Sequence, residues 1–249
     1  MNALKRLSAS LAALAICGTP FSAQAEKQAP AMKIHMISGS KQYESEKSLT
    51  AFKAYLEEHY RIRCTLSLAK DKGSEIPGIE ALDDADILLV FCRRVTMPSE
   101  QLERIKVWCD AGKPVIGIRT ASHAFQNWLE FDKVVLGGDY KGHGGDEEVQ
   151  VLIEEKAGSH PILAGLKAWT RMAKLYRNPN LAEDVTVLMT AISKKDRQPI
   201  AWCRVYNREK DGRSFYTSMG FPHDFENENF NRMLINAISW VAKRELQRK

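Results

Sequence analysis

Through its first half the chain alternates short apolar runs with segments of helical periodicity. Residues 32–39 (MKIHMISG) are apolar nearly throughout and end in Gly, the pattern of a strand buried on both faces. Residues 64–69, 85–92 (ADILLVFC) and 114–119 (PVIGIR) repeat that pattern. Leu49, Phe52, Leu56 and Tyr60 recur at near-helical spacing, which predicts a helix over 46–60 with Ser45 as its cap. Pro98 opens a second helix that runs to Asp110, with Leu102, Ile105 and Cys109 on one side and Gly112 just past its end. Strands spaced by amphipathic helices predict an α/β fold with a mostly parallel sheet covered on both faces. Right-handed crossovers then gather the loops that begin near Gly39, Arg93 and Arg119 at the carboxyl ends of the strands.

The second half is richer in strands. Residues 148–154 alternate as a half-exposed strand does, and 185–192, 199–206 and 214–219 are further strands. Asp211-Gly212 places a turn between the last two, so they form a hairpin. Residues 230–243 close the chain as an amphipathic helix, with Met233, Leu234, Ala237, Ile238 and Val241 turned inward.

Residues 1–25 break with this pattern. Lys5 and Arg6 precede an apolar stretch from Leu11 to Ile16, then Gly18 and Pro20, then Ala23-Gln24-Ala25. That order reads as a secretory signal cleaved after Ala25, leaving 26–249 as one domain in the periplasm or outside the cell. The apolar stretch is too short to span a bilayer. The full chain of 249 residues carries 36 Lys+Arg against 31 Asp+Glu, a formal +5 that cleavage lowers to +3. So mild an excess, with no basic patch interleaved with aromatics, gives no reason to expect nucleic acid as a partner. Cleavage also leaves four cysteines, Cys64, Cys92, Cys109 and Cys203, mostly in strand-like runs where a thiol is usually a small buried hydrophobe.

Candidate chemistry lies on the loops. In GIRTASHAF (117–125) a strand gives way to a predicted helix, and the turn between them is where hydrolases and glutamine amidotransferases carry a Ser or Cys nucleophile. Arg119 holds that position here and cannot act as a nucleophile. It stands either as an anchor for a ligand's oxygen atoms or as a structural partner of a carboxylate. Ser122 and His123 follow within one turn. LGGDYKGHGG (136–145) has five glycines in ten positions around Asp139, Tyr140 and His143, an acid, a hydroxyl and a titratable base. GFPHDF (220–225) sets His223 beside Asp224 after a strand. Trp128 is close enough to the turn to be a candidate pocket wall.

Taken in order, GIRTASHAF, LGGDYKGHGG, HPILAGL, PIAWCRVY, GRSFYTSMG and a closing INAISW resemble the trehalose-utilisation (ThuA-like) family from about Met32 to the C-terminus. The resemblance implies a three-layer flavodoxin-like sandwich akin to class I glutamine amidotransferases. It also implies a link to carbohydrate metabolism, with a keto-sugar or a trehalose-type disaccharide as the ligand class. Against the family pattern, Arg119 and Phe221 stand where many members have His, and His123 where many have Asp. Ala173-Lys174 replace an acidic pair before Tyr176, and His223 is a candidate substitute for the histidine missing at 221.

Two readings follow. In one, the protein is an enzyme working by proton transfer, with His143 or His223 moving a proton and Asp139 or Asp224 orienting it. Arg119, His123, Tyr140 and Asp224 would then hold a small carbohydrate. In the other, an amidotransferase-like shell binds carbohydrate without converting it. The sequence leaves any metal, cofactor and oligomeric state open.

Overall fold

A computed structural model of the protein describes residues 30–69 and 75–249. The signal segment read at 1–25 lies outside the described residues. The apolar runs become β1 (Met32–Gly39), β2 (Ile62–Leu68), β3 (Ile87–Cys92) and β4 (Val115–Ile118), with α1 (Ser45–His59) and α2 (Ser99–Asp110) between them. The second half supplies β5 (Glu147–Ile153), β6 (Trp169–Ala173), β7 (Thr186–Ile192), β8 (Arg197–Asn207), β9 (Gly212–Thr217) and α3 (Glu228–Ala242).

The strands form one sheet in the order β2-β1-β3-β4-β9-β8-β7-β5-β6. From β2 to β9 every pairing is parallel, and from β9 to β6 every pairing is antiparallel. The sheet is therefore mixed, a parallel half joined to a meandering half through the expected β8–β9 hairpin. The neighbours β1 and β3 lead to connections on opposite sides, so their carboxyl ends flank a crevice.

Successive side chains of β3 divide between two cores. Ile87, Leu89 and Phe91 pack on the face covered by α1 and α3, while Leu88 and Val90 face α2 and the segment Phe131–Leu136. That is the expected three-layer arrangement. Cys64, Cys92, Cys109 and Cys203 are free and buried, and burial pushes the thiols of Cys64 and Cys203 up to about 12. Among the described residues no helix is long and apolar enough to cross a membrane.

Two local expectations are corrected, and one strand is added. Ser45 does not cap α1: Glu44 precedes the helix at φ 46°, and the Ser45 hydroxyl instead accepts from the Ser40 N–H at 2.8 Å and meets Ser38 Oγ at 2.7 Å. The predicted helix after β4 is a single 3₁₀ turn, Arg119–His123. Its continuation is drawn off because the N–H groups of Arg94 and Val95 bond to the carbonyls of His123 and Ala124, and Gln126 N–H bonds back to Val95. β6 was not foreseen, since WTRMA carries no continuous apolar signal.

Leu234 is fully buried in the core beneath α3. Leu234→Ala should cost about 2–5 kcal/mol in chemical denaturation. Met172→Ala, at a half-exposed position on β6, should stay within about 0.5 kcal/mol of the parent.

Candidate functional site

The turn after β4 is built as a strained elbow. Arg119 sits at φ 47°, a left-handed conformation that costs a non-glycine residue on the order of 1–2 kcal/mol. Two contacts hold it there. The buried Tyr216 hydroxyl donates to the Arg119 carbonyl at 2.7 Å, and Gly220, at φ 137°, lets the segment after β9 close over the elbow. A Cβ on Gly220 would come within 2.7 Å of Ile118 Cγ2 and 3.2 Å of Arg119 Cβ.

The Arg119 side chain turns inward and is 1% exposed. Its Nη1 donates to the Ser218 carbonyl at 2.6 Å and its Nη2 to the Tyr43 hydroxyl at 3.3 Å. Three rings surround the guanidinium: Tyr43, Tyr176 and Phe221, with centroids 4.2, 4.6 and 4.0 Å from Cζ. Among the described residues no carboxylate pairs with it. So the structural alternative weighed above, an arginine neutralised by an acid, is not what is found. The guanidinium lies beneath these three rings.

The outer layer is imidazole and phenol. His123 stacks on Tyr140 with centroids 4.5 Å apart, and Tyr140 lies 4.5 Å from Tyr176. His123 Nδ1 is 3.0 Å from Ser122 Oγ. Burial, reinforced by the charges of Arg94, Arg93 and Arg119, holds the His123 imidazole down to about 3, so the ring is neutral at any ordinary pH.

His143 is exposed at the edge of the same group, its ring 6.1 Å from Tyr176. A short ladder places it there: Lys141 N–H bonds to Arg177 O, Arg177 N–H to Gly142 O, and Gly144 N–H to Leu175 O. Gly142 at φ 103° permits the bend. His143 Nδ1 is 2.7 Å from the Gly144 carbonyl. A carbonyl only accepts, so Nδ1 is a donor, and in the neutral ring the lone pair is on Nε2.

The carboxylates fall elsewhere. Asp139 does not orient His143: its oxygens bond to Lys141 Nζ at 2.7 Å and Asn180 Nδ2 at 2.9 Å, which hold its pKa low. Asp224 is buried, accepts from the Gly220 and Phe221 N–H groups at 2.7 Å each, and pairs with Arg171 Nη2 at 2.7 Å. His223 is exposed, stacks on Phe221 at 5.3 Å, and leaves its Nε2 3.8 Å from Asp224 Oδ1. Arg119, His123, Tyr140, His143 and His223 therefore gather around Tyr176 and Phe221, while Asp139 and Asp224 serve neighbouring structure. Trp128 is no part of this group. It packs with Phe125 and Phe131 in the core on the α2 side.

Sequence reasoning missed two buried ions. Arg171 on β6 is 9% exposed, and the one sequence signal for it is that it shares a strand face with Trp169 and Ala173. Asp132 accepts from the Tyr140 N–H at 3.0 Å and so sets that ring's backbone; burial pushes its carboxyl up to about 7. Nothing in the local sequence signals it. Among the described residues no three His, Cys, Asp or Glu side chains are grouped as a metal ion would require. Beside the site, between α1 and the ends of β1 to β3, a groove of about 1080 Å³ is lined by Gly39, Ser40, Lys47, Leu68 and Arg93 among others.

An α/β sandwich with an occupied elbow at the carboxyl edge of its parallel strands is thus defined. The sequence profile of the ThuA family, described as trehalose utilisation, matches residues 33–241, and the chain belongs to that family. Among solved structures it is similar to a ThuA-like protein from Parabacteroides merdae (18% identity over 88% of this chain and 92% of that one, TM-score 0.68). A second ThuA-like protein, from Bacteroides uniformis, matches at 21% identity over 90% and 95%, TM-score 0.64. PurLQS from Thermotoga maritima shares the fold at 10% identity over 84% and 99%, TM-score 0.52. A search of curated protein sequences gives no match.

The neutral His123 has a consequence for acid stability. The unfolded imidazole takes up a proton below about pH 6.5, whereas the folded one stays neutral down to about 3. Between those values the unfolded state binds more protons, so this residue's contribution falls as pH falls. In urea melts from pH 7 to 4, His123→Gln should lose less stability on acidification than the parent, by an amount on the order of 1–3 kcal/mol.

Proposed function

We propose that the protein is an extracytoplasmic enzyme of carbohydrate metabolism that moves a proton on a sugar bearing a carbonyl group, with His143 as the base. The observation that carries this reading is the placement of the His143 ring. Its Nδ1 lies 2.7 Å from the Gly144 carbonyl, so that in the neutral ring Nε2 is the basic nitrogen, and the ring sits at the edge of the Tyr140–His123–Tyr176 group. Nε2 takes a proton from the carbon next to the carbonyl, and the electron pair moves onto the carbonyl oxygen as an enediolate. The proton of the adjacent hydroxyl passes to the former carbonyl oxygen, and return of the proton from Nε2 to the former carbonyl carbon completes an isomerisation that leaves the carbonyl on the neighbouring carbon. The negative charge on oxygen forms above the buried Arg119 and beside Arg93 and Arg94, the three cations whose field His123 already feels. Tyr140 supplies a half-buried ring and hydroxyl for the sugar face. No cysteine lies at the elbow, so a nucleophilic route has no group there to carry it.

One observation favours a second reading, in which the site binds carbohydrate without converting it. Both carboxylates expected to orient a histidine, Asp139 and Asp224, are engaged elsewhere. Turnover and calorimetry against a panel of keto-disaccharides separate the two. The enzyme reading expects conversion that His143→Ala lowers by roughly 10²-fold or more. Equal rates in both proteins remove His143 from the chemistry. Tight binding without conversion favours the second reading, and neither binding nor conversion defeats both.

The extracytoplasmic address rests on residues 1–25. Protein recovered from the periplasm or medium of an expressing bacterium should begin at Glu26 by N-terminal sequencing. Recovery of the uncut chain in the cytoplasm alone would overturn it.

A further inference from the structure

Arg93 and Arg94 follow β3 directly, at the carboxyl end of a central parallel strand, where the crevice opens. Backbone bonds fix both residues. Arg93 N–H bonds to the Gly39 carbonyl at 3.1 Å, and Arg94 N–H to the His123 carbonyl at 2.8 Å. Arg94 is held at φ 52°, a left-handed conformation that an arginine adopts only at a cost. The bond from Val95 N–H to the Ala124 carbonyl, at 2.7 Å, secures that turn against the elbow.

Among the described residues neither guanidinium has a carboxylate within ion-pair distance or a side-chain hydrogen bond. Arg94 is exposed and Arg93 half-buried, so both can meet a ligand. Arg93 also lines the groove beside α1, together with Lys41, Lys47, Glu44 and Glu46. Lys47 pairs with Glu44 at 3.5 Å, which leaves Glu46 alone against Lys41 and Arg93. Arg119, below, has no acid partner either. Arg93, Arg94 and Arg119 are the fixed charges that act most on both the His123 and the Tyr140 rings, and His123 feels His143 as well. The base and the three cations therefore bear on one group of rings. A neutral sugar leaves their excess charge unbalanced. A sugar with its own negative charge balances it, because a guanidinium donates to the oxygens of a carboxylate or phosphate in pairs.

We propose that the sugar taken by this site bears an oxyanion, a carboxylate or a phosphate, which Arg93 and Arg94 hold at the carboxyl end of β3. This names the ligand class of the site described above and rests on its reading as a site for a carbonyl sugar. Arg119 acts from beneath the rings and does not touch the anion.

Calorimetry at low, fixed ionic strength should compare fructose, fructose monophosphate and ketogluconate, keto-sugars of equal carbon number that differ in charge. At least one charged sugar should bind about tenfold or more tighter than fructose, and added salt should weaken that binding while sparing fructose. Which of the two binds tells a phosphate from a carboxylate. Arg93→Gln and Arg94→Asn, the latter tolerant of the left-handed backbone, should each remove most of the preference, and His143→Ala should keep it. Equal affinity for charged and neutral sugars, no binding by either charged sugar, or a preference that both arginine variants retain would overturn the proposal. Turnover of fructose without any preference for charge defeats this inference and leaves His143 standing as the base. Charged sugars bound tightly but unconverted uphold it and count against the enzyme reading.

Discussion

A guanidinium buried without a carboxylate organises this end of the molecule. Removing such a charge from water costs several kcal/mol even after relaxation. The face of an aromatic ring returns about 0.5–2 kcal/mol, so the three rings around Arg119 recover much of that cost only by acting together. They come from three separate places: Tyr43 from the turn after β1, Tyr176 from the chain after β6, and Phe221 from the chain after β9. The Ser218 carbonyl, 2.6 Å away, is the strongest single acceptor. Loops that would otherwise be independent are tied to one point, and the strained φ of Arg119 is maintained by the same set of contacts.

Filling the elbow with a cation changes what the scaffold can do. In a hydrolase the same turn pushes a nucleophile up into the crevice. Here the side chain folds down under the rings, and the groups that meet solvent belong to the next layer, His123, Tyr140 and His143. The positive potential comes from below through Arg119 and from the side through Arg93 and Arg94. Burial first, and this potential after it, keep His123 from protonating, so that ring contributes shape and a hydrogen bond rather than charge. A developing negative charge on a bound molecule would meet the same field with the opposite sign.

Much of the scaffold was legible because strands buried on both faces leave unbroken apolar runs and the helices leave a stripe. β1, β3, β4 and α3 were read within one or two residues on that basis. The elbow was legible as well, since a strand ending at Ile118 fixes which residue follows. What could not be read is how far each loop folds back. Nothing near Ser122 in sequence shows that Val95 will pair with Phe125 and stop a helix. Nothing near Asp139 shows that Lys141 and Asn180 will claim its oxygens before His143 can. Arg171 is the instructive omission. A charged residue in a weak strand pattern reads as solvent-facing, and only its phase, shared with Trp169 and Ala173, says otherwise.

That phase matters beyond one residue, because β6 is the outermost strand of the antiparallel half and pairs on one side only. Its register against β5 sets Arg171 opposite Val149 and Ala173 opposite Glu147. A slip of one residue would turn Arg171 to solvent, bring Thr170 inward and strand Asp224 without its cation. The same slip would displace Tyr176, three residues past the strand, from both Arg119 and the ladder that carries His143. An edge strand of five residues whose apolar side chains fall on both faces has weak reasons of its own to choose a register. The buried Arg171–Asp224 pair supplies one, since only one alignment lets the ions meet. The ion pair is therefore best understood as the pin that fixes the edge of the sheet, and through it the position of the histidine at the mouth of the site.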